Sequence, residues 1–298
     1  MLPDEFTARV TESWGQDGLD WLVRLPGIIA KYEGLWSLKV MQPFTLFYNY
    51  VAPAVRADGS AVVLKLGVPG KYIVSEVEAL QAYDGAACVR VLETDIDAGV
   101  MVIEPLTPGK QLWTLSDDEE ATSIAADIIR RLRRPPPLDH EFQTVADWAA
   151  GLGRFRERFD GGVGPFPSHL FDKAEKLFAE LIGSTGDPVL LHGDLHHDNI
   201  LSAQRESWVA INPKGVVGEA EYEVEAYLRN RLPAHPKKTL ARRVDQLAEA
   251  LGFERERIVG WALAQAVLSA AWSLEDGGTD LWWRQMIACA EALDDLPG

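Results

Sequence analysis

Cysteine is nearly missing from this chain: only Cys88 and Cys289 occur, far apart and without metal-type spacing, so neither a disulfide framework nor a cysteine-bound zinc is expected. Long apolar runs are missing too. None reaches the roughly 18 residues of a membrane span, and the longest, Trp261 to Trp272, contains Gln265 and reads as a buried helix. Positive charge is scarce, with 29 Lys and Arg against 45 Asp and Glu and a formal net charge of −16. That balance argues against a nucleic-acid partner, whose phosphates must be neutralised, and it would steer a cationic small molecule inward. The opening Met-Leu-Pro-Asp-Glu-Phe lacks a basic region followed by an apolar stretch, so no secretory signal is expected and the chain reads as cytoplasmic, with no membrane partner.

What is present is concentrated in Leu191-His-Gly-Asp-Leu-His-His-Asp-Asn-Ile-Leu201, where His192, Asp194 and Asn199 form H-x-D-x-x-x-x-N. Phosphoryl transfer of the protein-kinase type needs these groups at this spacing: a carboxylate to take the proton of an attacking hydroxyl, then a carboxamide turned back toward Mg2+. Apolar Pro188-Val-Leu-Leu191 and Ile200-Leu201 flank the motif, so it reads as a loop between two short strands. A further strand, Ser207 to Ile211, delivers Asn212-Pro-Lys-Gly215, where a kinase places its second metal ligand, normally Asp. Zinc is the competing use of His192, His196 and His197, but no fourth ligand is evident, and the adjacent pair would point apart in an extended segment.

Apolar spacing predicts a helix over 15–33, strands over 35–41, 47–55 and 61–66, a helix over 73–83, and strands over 89–93 and 100–104. The turn Ala57-Asp58-Gly59-Ser60 makes the second and third strands an antiparallel hairpin. From Leu106 the pattern turns helical. Ser116-Asp-Asp-Glu119 reads as a capping box for a helix ending before Pro135-Pro-Pro137, and further helices are expected near 170–181, 220–229, 239–251, 255–275 and 280–294. The expected class is α+β with a bilobal, protein-kinase-like layout: a small antiparallel sheet lobe over 1–104 and a larger helical lobe over 105–298.

With these segments in order, the chain resembles the aminoglycoside/hydroxyurea phosphotransferase family, in the branch that includes streptomycin 6-kinases. The likeness rests on the 191–201 loop with its doubled histidine, on Trp208 to Gly215 apart from Asn212, on Val216 to Glu223, on Leu228-Arg229-Asn230, and on Ala264 to Asp276. It implies an ATP- and Mg2+-dependent kinase acting on a small, cationic or polyhydroxylated acceptor, an alcohol phosphotransferase of the antibiotic-resistance type.

Carried over residue by residue, the resemblance makes Asp194 the general base, His192 a scaffold of the loop, and Asn199 with Asn212 the metal ligands. Lys65, in Val62-Val-Leu-Lys-Leu66, fits the strand lysine that contacts the α and β phosphates, since a lysine in an apolar strand is otherwise costly. Glu76 is its expected partner, with Glu78 the alternative. The phosphate loop departs from the pattern: Gln42 to Asn49 has no glycine, and Thr45 is left as the contributor of a hydroxyl and an amide. Glu104 and Leu106 would present backbone to adenine. Glu275 and Asp276, with Trp272 and Trp282 as walls, are the expected acceptor pocket, against the plainer reading of an exposed helix end. Glu223 is expected to order the catalytic loop. Asn212 offers one neutral oxygen where Asp would offer a charge, a difference of several kcal/mol beside a divalent ion before solvation offsets it. A nucleotide-binding pseudokinase and a metabolic sugar kinase with another acceptor are therefore the competing functions.

Overall fold

The computed structural model describes residues 2–275 and 280–297, and the chain divides into two compact units, Met1–Thr107 and Pro108–Gly298. In the first, β1 (Leu38–Val40), β2 (Tyr50–Arg56), β3 (Ala61–Leu66), β4 (Val91–Asp95) and β5 (Val100–Ile103) form an antiparallel sheet in the order β1-β2-β3-β5-β4. The β2–β3 turn closes as its sequence demands: Asp58 Oδ1 accepts from Ser60 N–H at 2.9 Å, and Gly59 takes a left-handed φ of 87°. Helix α2 (Lys71–Tyr83) buries Ile73, Glu76, Val77, Leu80 and Tyr83 on one face, at helical spacing.

Helix α1 (Asp4–Leu35) starts well before the expected residue 15. Its first part has only a sparse stripe, Phe6, Val10 and Trp14, and no side-chain cap, which hides it in the sequence. Gly15, with φ 54° and ψ −127°, interrupts the helical backbone where the two parts meet. Phe6, Trp21, Leu25 and Tyr32 of α1 join Ala52, Leu64 and Val102 of the sheet in one core, where each large side chain contributes about 1.5–3 kcal/mol of burial.

The second unit holds α3 (Asp118–Leu132), β6 (Gln143–Thr144), α4 (Val145–Arg158), α5 (Ser168–Gly183), β7 (Val189–Leu191), β8 (Ile200–Ser202), β9 (Trp208–Ala210), β10 (Val216–Gly218), α6 (Glu225–Arg229), α7 (Lys237–Leu251), α8 (Arg255–Glu275) and α9 (Asp280–Asp294). The cap of α3 is Asp117 and not Ser116: its carboxylate accepts from Glu119 N–H at 2.9 Å and Glu120 N–H at 3.2 Å, and as a carboxylate it also complements the helix dipole. The capping box sits instead on α4, between Thr144 and Asp147.

The strands that flank the motif loop belong to different sheets. β7 pairs with β10, which also pairs with β6, while β8 pairs with β9. The loop is thus tied to two separate platforms. Behind it, α8 is apolar almost all round and packs against α4, α5, α6 and α9. By length and composition α8 is apolar enough to cross a membrane, but its most apolar window is 67% buried inside the protein, as a core helix requires.

Candidate active site

The motif loop, 191–201, is held from beneath by Glu223. One of its carboxyl oxygens accepts from His192 N–H at 2.6 Å, the other from Gly193 N–H at 3.0 Å. Gly193 has to be glycine here: its φ is 76°, and a Cβ would meet Val216 Cγ1 at 2.8 Å and Trp148 Cη2 at 3.2 Å. The Glu223 carboxyl is only 5% exposed, and burial pushes its pKa up to about 8 although the two amide donors pull the other way.

His192 is fully buried and joins the loop to the segment after β9. Its Nε2 lies 2.9 Å from Ile211 O, and its Nδ1 accepts from Asp194 N–H at 3.3 Å. A carbonyl only accepts and an amide N–H only donates, so the ring carries its proton on Nε2. Burial lowers its pKa to about 4, which keeps it neutral and fit for both bonds. Lys214 N–H donates to His192 O at 2.7 Å and Ile211 N–H to Asn199 O at 2.9 Å, lacing the two loops together.

The doubled histidine splits its roles. His197 turns inward, 2% exposed, stacked on Tyr227 with ring centroids 4.2 Å apart and 3.5 Å from the Arg243 guanidinium; burial lowers its pKa to about 4. His196 turns the other way, its Nε2 3.6 Å from Asp194 Oδ1 and 3.2 Å from Asn199 Nδ2.

Asn199 and Asn212 face one another. Asn199 Nδ2 donates to Asp194 O at 2.9 Å; because that oxygen can only accept, the orientation of the carboxamide is fixed and its Oδ1 points at Asn212. Asn212 donates to that Oδ1 at 3.1 Å. It does so from a left-handed backbone, φ 61°, a conformation asparagine tolerates better than most residues.

Asp194 keeps a quarter of its side chain open to solvent, with Lys214 Nζ 3.7 Å from Oδ2. Burial pushes its carboxyl up, but Lys214, His196 and the Arg229 guanidinium outweigh it, and the net pKa lies below the ordinary carboxylate range. The group is therefore ionised at neutral pH.

In the first unit, Lys65 and Glu76 form a direct ion pair, their side chains 3% and 10% exposed. Glu78, the alternative, is half-buried on another side of α2. Glu104 is engaged internally: its N–H donates to Arg90 O and its carboxylate accepts from Arg90 N–H, both at 3.0 Å. Leu106 is half-buried beyond β5, and Thr45 is exposed in the irregular segment between β1 and β2. Trp272 is half-buried and meets Trp148 edge-on at 5.7 Å, so Trp148, which also approaches Gly193, links it to the catalytic loop. Glu275 ends α8, half-buried, while Trp282 is exposed on α9. Asp276 lies outside the described residues.

Residues 36–277 match the model of a known family, the aminoglycoside/hydroxyurea antibiotic resistance kinases. The chain belongs to that family. Among curated members of this kinase group, it is 31% identical to the streptomycin 6-kinase of Streptomyces griseus, over 98% of this chain and 96% of the relative. It is 34% identical to the hydroxyurea phosphotransferase of Kitasatospora aureofaciens, over 98% of this chain and 85% of the relative. Solved structures similar to this kinase include choline kinase LicA from Streptococcus pneumoniae, with a TM-score of 0.65 at 15% identity, covering 92% of this chain and 100% of that one. A thermostable mutant of aminoglycoside phosphotransferase APH(4)-Ia, in a ternary complex with ADP and hygromycin B, has a TM-score of 0.63 at 14% identity, covering 90% and 98%. The fold is protein-kinase-like, α+β, and the enzyme is a phosphotransferase with an alcohol group as acceptor.

Three features of this kinase escape a reading of its sequence. Trp148 comes from α4, where Val145, Trp148, Leu152 and Phe155 keep helical spacing but Gly151 and Gly153 interrupt the segment. The Glu225–Arg229 pair, 2.7 Å apart, has the i,i+4 spacing of an ordinary surface pair, and nothing local says that the Glu225 carboxylate is buried. Lys214 is visible as a lone base two residues past Asn212, but only the structure puts it beside Asp194.

Proposed function

We propose that this kinase transfers the γ-phosphoryl group of ATP to a hydroxyl of an aminoglycoside of the streptomycin class. The observation that carries the reading is the geometry at Asp194: a carboxylate open to solvent, on a loop whose Asn199 bonds both to the Asp194 carbonyl and to Asn212. The streptomycin 6-kinase relatives and the net charge of −16, suited to attracting a cationic acceptor, favour this substrate class. Hydroxyurea is the second reading, favoured by the hydroxyurea phosphotransferase relative.

In this mechanism Asp194 accepts a hydrogen bond from the acceptor hydroxyl, orients its oxygen and takes its proton as the oxygen–phosphorus bond forms. A carboxylate of low pKa is a weak base, but phosphoryl transfer through a loose transition state asks more for orientation than for basicity. Lys65, steadied by Glu76, holds the α and β phosphates, and the backbones of Glu104 and Leu106, with Thr45, complete the nucleotide contacts. Trp148 and Trp272 form an apolar wall for the acceptor, with Glu275 and Asp276 as its acidic partners.

Mg2+ prefers hard oxygen ligands and usually draws its charge from carboxylates and phosphates. Asn199 Oδ1 and the Asn212 carboxamide match that preference in kind but bring no charge, so they suit a metal already carried by nucleotide phosphates. When bound there, Mg2+ would neutralise charge on the β- and γ-phosphates. Asn212 would have to turn its oxygen toward it, giving up the bond to Asn199. Cys88 and Cys289 are both buried free thiols, in keeping with a reducing, cytoplasmic setting.

The test is turnover of Mg2+–ATP with streptomycin, other aminoglycosides, simple sugars and hydroxyurea as acceptors, following phosphorylated product. Transfer to an aminoglycoside is expected. Transfer only to hydroxyurea or a sugar would overturn the substrate class. Nucleotide binding without transfer to any acceptor would point to a pseudokinase.

A further inference from the structure

We infer that Lys214 is a further catalytic residue, whose ammonium group binds a non-bridging oxygen of the phosphoryl group in flight. The inference rests on the kinase reading above and adds to it a residue outside the base and the metal ligands.

Geometry is the first support. An acceptor oxygen must come within about 2.6–3.2 Å of Asp194 to lose its proton, and the phosphorus must lie about 3–3.5 Å beyond that oxygen. The phosphorus therefore passes within about 6–7 Å of the Asp194 carboxylate, and its non-bridging oxygens can come closer. Lys214 Nζ is 3.7 Å from Asp194 Oδ2, so its flexible stem needs only a small swing to meet a phosphoryl oxygen.

Anchoring is the second. The backbone of Lys214 is fixed by its N–H donating to His192 O at 2.7 Å, inside the catalytic loop. Its side chain is half exposed, and a quarter of the Asp194 side chain is open to solvent beside it. The stem is thus tied at its root and reaches solvent at its tip, where a phosphoryl oxygen can meet it.

Charge is the third. The carboxamides of Asn199 and Asn212 add no formal charge to this part of the site. A phosphoryl group approaching an ionised Asp194 meets repulsion that these two neutral groups cannot offset. An ammonium beside the carboxylate can. As a mere surface ion pair, Lys214–Asp194 would contribute little to stability, about 0–1 kcal/mol, so a stabilising role gives the residue little to do.

The step balances. The hydroxyl proton passes to Asp194, and the acceptor oxygen bonds to phosphorus. The bond from phosphorus to the β–γ bridging oxygen breaks, its electron pair leaving with ADP. Lys214 keeps its proton throughout and serves as a charged donor, a role whose loss costs on the order of 100-fold in rate at comparable sites.

The experiment compares the parent protein with Lys214→Met and Lys214→Arg. Binding of ADP with Mg2+ is measured by calorimetry, with and without aluminium fluoride, which mimics the phosphoryl group in flight. Lys214→Met should leave ADP affinity within about threefold while weakening the aluminium fluoride complex at least tenfold, and kcat should fall on the order of 100-fold with little change in KM for ATP. Lys214→Arg should recover most of both. Equal aluminium fluoride binding by parent and Lys214→Met would overturn the role of Lys214 and leave the kinase reading standing. A parent that binds no ADP would overturn both.

Discussion

Lys65 and Glu76 meet as an ion pair almost wholly out of water, one from the penultimate residue of a buried strand and the other from the inner face of α2. Such a pair ties the strand to the helix, and each charge depends on the other. Removing Lys65 leaves the Glu76 carboxylate buried without this counter-charge, at a cost of about 3–5 kcal/mol.

Lys65→Met is therefore expected to do two things that can be told apart. It should weaken ATP binding, and it should destabilise the first unit by about 3–5 kcal/mol through the stranded Glu76 carboxylate. The double variant Lys65→Met, Glu76→Leu should regain most of the stability and none of the nucleotide affinity. Denaturant unfolding and ATP titration of both variants check this; a double variant that binds ATP as the parent does would remove Lys65 from the site.

Glu223 predicts a pH dependence. Its folded pKa of about 8 lies above its ordinary value near 4.5, so between these limits the folded protein keeps a proton that the unfolded chain has lost. The Glu223 contribution to stability should fall as pH rises from 4.5 toward 8 and level off above. Glu223→Gln cannot titrate and should flatten that slope. It also sets an amide NH2 against one of the two loop N–H groups, so at pH 5 it should be less stable than the parent by about 1–3 kcal/mol, with the gap narrowing at pH 8.5. Urea midpoints at the two pH values measure the difference; an identical slope in both proteins would refute the assignment.

How much of this was legible in the sequence depended on whether the signal was local. β3 and α8 read correctly to the residue, because Ala61–Leu66 is a short, mostly apolar run after a turn and Arg255–Glu275 a charged start leading into the apolar stretch Trp261 to Trp272. The catalytic loop was legible for the same reason: His192, Asp194 and Asn199 sit within eight consecutive residues. The first part of α1 was not, since its stripe is sparse, nor was α4, whose Val145, Trp148, Leu152 and Phe155 keep helical spacing but whose Gly151 and Gly153 weaken the helical signal. Nor could spacing reveal that β7 would pair with β10 and not β8, or that Trp148 would reach Gly193. Contacts between distant segments are set by packing, which a one-dimensional pattern does not record.

Asp194→Ala should abolish phosphoryl transfer while leaving ATP affinity within about threefold, because in the proposed mechanism the carboxylate meets the acceptor and not the nucleotide. The fold should survive, since the bonds that hold this position use the Asp194 backbone: its N–H to His192 and its carbonyl from Asn199. Product formation and ATP titration on one preparation decide it. Near-full activity in the variant would exclude Asp194 as the base.

Asn212→Asp tests the departure that matters most. The Asn199 carboxamide cannot turn, because its Nδ2 is committed to Asp194 O, so a carboxylate at 212 would set oxygen against oxygen where 3.1 Å now separates a donor from an acceptor. Without metal the variant should lose stability, by about 1–3 kcal/mol for the broken bond and more from repulsion by Asp194. With Mg2+ the same two oxygens become a charged ligand pair, and the loss should be recovered by mass action. Thermal unfolding with and without Mg2+ should show a metal-dependent rise in the variant that is much smaller in the parent. Turnover should increase as well, by roughly ten- to a thousand-fold in kcat, or about 1.4–4 kcal/mol of transition-state stabilisation. If Asn212→Asp gains neither Mg2+-dependent stability nor rate while the parent already turns over quickly, then the carboxamide pair is a working arrangement, and the charge that the transferred group needs comes from elsewhere in the loop.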